Sequence, residues 1–427
     1  MPVVQPCPYA NCGQTVPLRT NGLPTALCPH CGSELLYCPR SGKLHTVHEA
    51  TSTAPGFEGE PLRSSLRSWS GPGGGPNGHW SIEAARPIRL GSDQKSGFDK
   101  PPQGFPIAAM VVTGGRIVYA LGPQLVGFWP GVPNKQAGIQ EIVPPETWRL
   151  LAWRGKAFAV QEVGVTIVDL TAWVRESRIM GRFVAHTHTD SFWLGVIREG
   201  ATTDALVVGQ SGEPGQRFAL AGDPAEFPKL AATAREVFAG YGTRLYRIDG
   251  SDCVAIADLD APILHVATLA ALILVLTSSS RGVFWKMLDR DGRTLGEIDT
   301  GITAAFIHPV IMKDRGYLFD TNSVSVVECA FDPPRRLATR TVPTLTRIDS
   351  VCGSWFGETR LLALAGLEGA RSGRALLMDV ETGATSQLAT FTGENKIRLA
   401  SIGDKIILAK SASYENSITV YDLGSHA

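Results

Sequence analysis

Along most of the chain, apolar residues alternate with polar ones or run a few together, and the runs stop at Gly, Asp or Pro. GRIVYAL (115–121), KAFAVQEV (156–163), TRLYRID (243–249) and ALILVLT (271–277) are examples. A period of two, or a short apolar run bounded by turn residues, predicts strands, so the fold class expected is all-β. The runs also repeat. Gly373 to Leu388, GRALLMDVETGATSQL, is a strand that ends in an Asp, turns at Glu-Thr-Gly and starts a second strand. The same phrase ends at Asp169 (GVTIVDL), Asp249 (TRLYRIDG), Asp289 (GVFWKMLDRDG), Asp332 (SVSVVECAFDP) and Asp422 (SITVYDL). Trp129 in LVGFWPG and Gln210 in ALVVGQSG hold the same place in weaker copies. The steps are about forty residues, the length of a β-propeller blade.

Eight copies predict an eight-bladed propeller, or a seven-bladed one if the copy at Gln210 is not a true blade. Each repeat holds about four strands, but the last stops after its third. A ring must hide its strand edges, so 79–90, which contains His-Trp-Ser-Ile-Glu-Ala-Ala-Arg-Pro-Ile, is expected to supply the missing outer strand. The spacing of Leu376 to Gly383 and of Trp285 to Gly292 resembles the quinoprotein-like propellers. It is less like the WD-repeat kind, because neither Gly-His nor Trp-Asp recurs. Quinone-using members carry a Cys-Cys pair and calcium-binding carboxylates; this chain has no adjacent cysteines, so the resemblance implies the fold without that activity.

The N-terminus departs from the pattern. Five of the eight cysteines precede residue 39, and Cys7-x4-Cys12-Gly is followed by Cys28-Pro-His-Cys31-Gly. Each pair sits in a short turn whose Gly permits a positive φ. Two such turns facing each other present four sulfurs in a tetrahedron, which is the closed geometry of a structural Zn2+ site. Residues 1–50 therefore resemble a small zinc ribbon, with Cys7, Cys12, Cys28 and Cys31 as ligands and His30 exposed. Cys38-Pro-Arg-Ser-Gly42, with His45 and His48, is an imperfect third copy; it has either lost its metal or helps to hold a second ion. Residues 51–78 contain GPGGGPNG and are Gly-, Pro- and Ser-rich, the composition of a linker. Residues 79–427 form the propeller, to which the ribbon is expected to be tethered.

Composition adds exclusions. The 427 residues are 44% hydrophobic and 19% charged, as in an ordinary globular protein. Forty basic residues balance forty acidic ones, so no global field draws the chain to nucleic acid or an anionic membrane. No secretory leader opens it, and the apolar run Ile263 to Leu276 is too short to span a bilayer. These readings place the protein in the cytoplasm. Cys253, Cys329 and Cys352 read as small apolar residues in strands.

Among polar clusters, His186-Thr-His188-Thr-Asp190 is the densest. Alternate residues of a strand share a face, so these three side chains are candidates for a metal or acid-base site; the competing reading has them cap a rim turn. His265 and His308 read as core or loop histidines. The recurring aspartates each precede a turn, where Asp accepts hydrogen bonds from its own downstream amides. Most tryptophans fall on strands, with Trp69 and Trp153 expected partly exposed. No GxSxG elbow is present. The expected function is a non-enzymatic scaffold that binds protein partners through rim loops and ribbon, as an accessory subunit of a bacterial multi-protein system. A propeller enzyme with a channel-mouth site and a zinc-ribbon nucleic-acid binder are the alternatives.

Overall fold

In the computed structural model, residues within 4–46, 83–90 and 107–422 are described, apart from short loop segments. Between 107 and 422 the chain folds into eight antiparallel sheets that follow one another in sequence. Their first strands are Ile107–Thr113, Arg149–Trp153, Phe183–His188, Lys229–Ala232, Ile263–Leu269, Ile307–Met312, Arg347–Phe356 and Lys396–Ile402. Each of the first seven sheets is a four-stranded meander in chain order. The weak third copy is a full sheet, Phe183–His188, Trp193–Glu199, Thr202–Val208 and Pro214–Ala219, although Gln210 itself lies outside the described residues.

The eighth sheet has three strands in chain order, ending at Asn416–Asp422, and takes its outer edge from the N-terminal side. Glu83–Ala84 pairs antiparallel with Asp422 and Tyr421, and Ile88–Leu90 pairs with Ile418 to Asn416. Backbone groups that would otherwise form an open edge are therefore paired with residues more than three hundred positions away in sequence. Trp80, Ile82 and the linker 51–78 lie outside the described residues.

Apolar faces of neighbouring sheets share their cores. Leu125 of the first sheet clusters with Val168 of the second, Phe158 of the second with Trp193 of the third, and Leu194 of the third with Val237 of the fourth. Phe238 joins Val275 between the fourth and fifth, and Trp285 joins Phe331 between the fifth and sixth. Phe319 meets Leu364 and Leu377 meets Leu408 across the next two boundaries. Ile407 and Ile418 of the eighth sheet then cluster with Ile117 and Tyr119 of the first. Large side chains do this bridging because each sheet hides a face only by pressing it on its neighbour. Trp285, fully buried, meets the Phe331 ring edge-on at a centroid distance of 5.6 Å. Trp285→Ala is expected to cost about 4 kcal/mol, because the void cannot collapse between two rigid sheets. Chemical denaturation of the variant checks this.

The repeated aspartates hold turns. Asp169 Oδ1 accepts from the amides of Thr171 (2.6 Å) and Ala172 (2.9 Å). Asp249 does the same for Ser251 and Asp252, Asp289 for Asp291 and Arg293, and Asp379 for Glu381 and Thr382. The apolar run from Ile263 is a hairpin of two strands, Ile263–Leu269 and Leu272–Ser279. Among the described residues, no helix is long and apolar enough to cross a membrane. Trp153 is buried rather than partly exposed, because it lies in the shared core of the second and third sheets; Trp69 is outside the described residues.

Candidate metal centre

Two short sheets build the N-terminal module. Val4–Pro6 pairs with Thr15–Pro17, and Thr25–Leu27, Glu34–Cys38 and Lys43–Thr46 form the second. Between paired strands the chain makes two tight turns. In the first, Cys7 N–H donates to Gln14 O, and the amides of Cys12 and Gly13 donate to Tyr9 O. In the second, Cys28 N–H donates to Ser33 O and Gly32 N–H to Cys28 O. Gly13 and Gly32 take φ values of 59° and 67°, which explains the Gly that closes each motif.

The turns bring four thiols together. Cys7, Cys12, Cys28 and Cys31 place their sulfurs within 4.8 Å of one another. The Cys7–Cys31 separation is 3.9 Å and the Cys12–Cys28 separation 3.6 Å. A tetrahedron with metal–sulfur bonds of about 2.3 Å has edges of about 3.8 Å, so the cluster fits such an ion. Burial pushes the Cys7 and Cys28 thiols up, with their sulfur neighbours adding to the rise. Burial also raises Cys31, but hydrogen bonds from Ser33 and the thiols of Cys28 and Cys12 outweigh it and bring it to about 7. His30 is exposed. Gly42 repeats the positive φ of the other two turns (64°) and His45 is buried, while His48 and the Cys38 side chain lie outside the described residues.

The module rests on the first two sheets rather than standing free as a tethered ribbon would. Gly114-Gly115 turns the first strand of sheet one into its second, with φ of 55° and 72°. Gly114 N–H donates to Glu34 Oε1 (3.1 Å), and Gly115 N–H to Thr25 Oγ1 (2.6 Å). A Cβ on Gly114 would meet Leu27 Cγ at 2.9 Å, so the ribbon's approach as well as the turn requires glycine there. At the equivalent turn of sheet two, Arg154 Nε donates to Ser33 Oγ (3.3 Å). Beneath Glu34 lies Arg116, its guanidinium 5.3 Å from the Trp129 ring and 5.6 Å from Trp173 of the next sheet. The free ribbon was expected from linker composition alone, and Thr25, Ser33, Glu34 and Arg116 carry no motif that would have revealed the contact.

Burial pushes the Glu34 carboxyl up to about 8, against the Gly114 hydrogen bond and the Arg116 charge, which lower it. A carboxyl raised on docking contributes stability that is present at low pH and lost as pH rises through about 8. Glutamine stands in for the neutral acid at every pH, so wild type is expected to fall progressively below Glu34→Gln in stability between pH 5 and about 8, after which the gap levels off. Removing the opposing cation with Arg116→Leu should extend that decline to higher pH. Melting temperatures across a pH series decide it, and a flat difference would sink the account.

His186 and His188 share the first strand of the third sheet and are half-buried. The His186 ring lies 6.0 Å from Trp193 and the His188 ring 6.5 Å from Trp153. Burial pushes them down to about 3 and about 4, so both are neutral over the ordinary pH range. Asp190 belongs to the following turn, which Thr189 Oγ1 caps by accepting from Ser191 and Phe192. Among the described residues these side chains do not gather as metal ligands; the four cysteines do. His265 packs edge-on to Trp285 at 6.3 Å, and burial holds it at about 4. Burial likewise pushes Cys253 to about 11 and Cys329 and Cys352 to about 12, as expected of inert thiols.

No protein-family model matches the chain, and no curated protein sequence matches it. Solved structures do. Sqt1 of Saccharomyces cerevisiae matches with a TM-score of 0.55 and 9% identity, over 74% of this chain and 96% of its own. Hsv2 of Kluyveromyces lactis aligns over 67% and 99%, at 8% identity and a TM-score of 0.46. The Cps50 (Swd1) β-propeller domain of Myceliophteria thermophila aligns over 63% and 93%, at 10% identity and a TM-score of 0.43. At such identities the likeness is one of fold alone, and the fold of this chain is β-propeller-like and all-β.

Proposed function

We propose that the chain is a non-enzymatic scaffold: a closed, eight-bladed propeller that carries a structural zinc ribbon and binds protein partners through rim loops and ribbon together. The observation that carries this reading is the seat of the ribbon on the turns of two adjacent sheets, through Thr25, Ser33 and Glu34. That seat leaves the exposed Pro29-His30 tip of the second cysteine turn beside the rim, so one partner can span both modules. Closure is supported by the core shared between the eighth and first sheets and by the pairing of 83–90 with the last strand. Zn2+ is supported by the sulfur separations, with Cys7, Cys12, Cys28 and Cys31 as ligands that fix the turn geometry and leave no open position for substrate. We place the protein in the cytoplasm, as an accessory subunit of a bacterial multi-protein system.

The test is affinity capture from the native host with the wild type and with a Pro29→Ala, His30→Ala variant. Stoichiometric protein partners, at least one lost with the two tip substitutions while zinc content is unchanged, are expected. A chain that emerges alone, or a partner set indifferent to the tip, overturns the two-module scaffold.

A further inference from the structure

The thiol tetrad and the seat of the ribbon are parts of one turn. Every ribbon residue described above as touching the ring lies within three positions of Cys28 or Cys31. Thr25, which accepts from the Gly115 amide, and Leu27, which packs on Gly114, run straight into Cys28. Ser33 and Glu34, which meet Arg154 and Gly114, come two and three residues after Cys31. Gly32 sits so near the second sheet that a Cβ there would lie 3.1 Å from Arg154 O. The turn from Cys28 to Ser33 is therefore half of the tetrad and also the foot of the ribbon. Two backbone hydrogen bonds hold it locally, Cys28 N–H to Ser33 O and Gly32 N–H to Cys28 O. Its other anchor is the tetrad, which joins it to the turn of Cys7 and Cys12.

The four sulfurs differ in access. Cys7 and Cys28 are buried, whereas Cys12 and Cys31 are half-buried. Each accessible sulfur stands against a buried one from the other turn: Cys31 is 3.9 Å from Cys7, and Cys12 is 3.6 Å from Cys28. A reagent in solution thus meets Cys12 or Cys31 first, with a second sulfur already in contact behind it. In that arrangement oxidation stops at a disulfide instead of carrying one cysteine on to a sulfinic acid. Cys253, Cys329 and Cys352 lie on three different sheets and have no such neighbour. Pairing draws each couple to bonding distance and spends the thiolates that would hold a metal. The turn then loses the shape that presents Leu27, Ser33 and Glu34 to the ring.

We propose that the tetrad is a reversible thiol switch for the seat of the ribbon, thrown by a peroxide. The switch rests on the zinc-ribbon reading above and adds a regulatory role to it. The Cys31 thiolate attacks one oxygen of hydrogen peroxide; an S–O bond forms as the O–O bond breaks, and hydroxide leaves. The Cys7 thiolate then attacks that sulfur, so an S–S bond forms as the S–O bond breaks and a second hydroxide leaves. With two protons from solvent the products are one disulfide and two waters; both sulfurs are oxidised and both peroxide oxygens reduced. Cys12 and Cys28 react in the same way with a second peroxide. The turn then lets go of Gly114, Gly115 and Arg154, which uncovers these turn positions of the first two sheets for a partner. A dithiol reductant returns two electrons to each disulfide, and with Zn2+ present the seat is restored.

The test exposes the full-length protein, as purified, to hydrogen peroxide. Zinc release is read with a metallochromic dye, disulfides by peptide mass spectrometry, and the seat by hydrogen exchange at the amides of Gly114 and Gly115. Release of about one zinc per chain is expected, together with Cys7–Cys31 and Cys12–Cys28 linkages. Exchange at 114–115 should quicken by about ten-fold as the two amides lose their acceptors. Dithiothreitol with zinc should reverse all three changes. A chelator under reducing conditions should quicken the same exchange with no disulfide formed, because the seat follows the tetrad. Met180, 61% exposed, reports the oxidant dose within each sample. The switch is overturned if Met180 oxidises while zinc stays bound, if zinc leaves while 114–115 stays protected, or if the cysteines end as separate sulfinic acids. Untreated protein that carries no zinc removes the ribbon reading itself, whereas zinc that is present but unresponsive removes only the switch.

Discussion

Substituting Cys28 with serine is expected to take bound zinc from about one ion per chain to near zero, and to unfold the ribbon while the ring survives. The reason is the size of the module's own core. It consists of Cys7, Val16, Ala26, Cys28, Leu35 and Leu44, so two of its six buried residues belong to the cysteine tetrad proposed to hold the metal. Such a core is too small to order five short strands unaided. With binding free energies of about 10–16 kcal/mol for structural zinc sites, the proposed metal would supply most of the folding free energy. Serine at 28 offers no thiolate, and its loss leaves a buried three-sulfur site missing its partner to Cys12. Ribbon unfolding would then release Glu34 from Gly114 and expose the turn at 114–115. Zinc analysis and limited proteolysis across 4–46 read both effects. Cys352→Ala, in the seventh sheet, is the control that should keep its zinc. Full zinc retention by Cys28→Ser would show that the ribbon does not depend on this tetrad.

How much of this was legible in the sequence follows from which interactions are local. The forty-residue period marked the sheets, because a strand-turn-strand phrase ending in Asp is written into consecutive residues, and Asp169, Asp249, Asp289 and Asp379 bond amides two to four positions on. The thiol cluster was equally legible, since each pair is a local turn with its own glycine. Gln210 gave a poor signal for the third sheet because the phrase is weakest at a loop, while the strands on either side are ordinary. The docking of the ribbon was not legible. It joins Glu34 to Gly114 and Ser33 to Arg154 across eighty and more positions, using residue types that occur everywhere. The His186-His188 pair reads as chemistry because alternate strand residues share a face. Burial against Trp193 and Trp153 lies outside that local pattern and makes the imidazoles neutral.

Deleting residues 1–90 is expected to destabilise the ring far more than deleting 1–50. Residues 83–84 and 88–90 pair at five positions with the last strand, from Asp422 to Asn416. At roughly 1 kcal/mol for each ladder hydrogen bond, their loss costs about 5 kcal/mol before any packing is counted. The uncovered strand carries Ile418, Val420 and Tyr421, all buried, two of which hold the core between the eighth sheet and the first. An open, apolar edge at that boundary invites pairing with another molecule, so the shorter chain should also aggregate. Deleting 1–50 removes the docking of Thr25, Ser33 and Glu34, so a modest loss is expected there too, and Cys28→Ser should match it because it unhooks the ribbon but keeps the edge strand. The difference between the two deletions, measured by calorimetry and size-exclusion chromatography, isolates the strand. A synthetic peptide spanning 79–92 should restore the melting temperature of the longer deletion, since a β-edge accepts a strand in trans as it does in cis. Equal stability of the two deletions, with no response to the peptide, would mean that the ring closes through its side-chain cores alone.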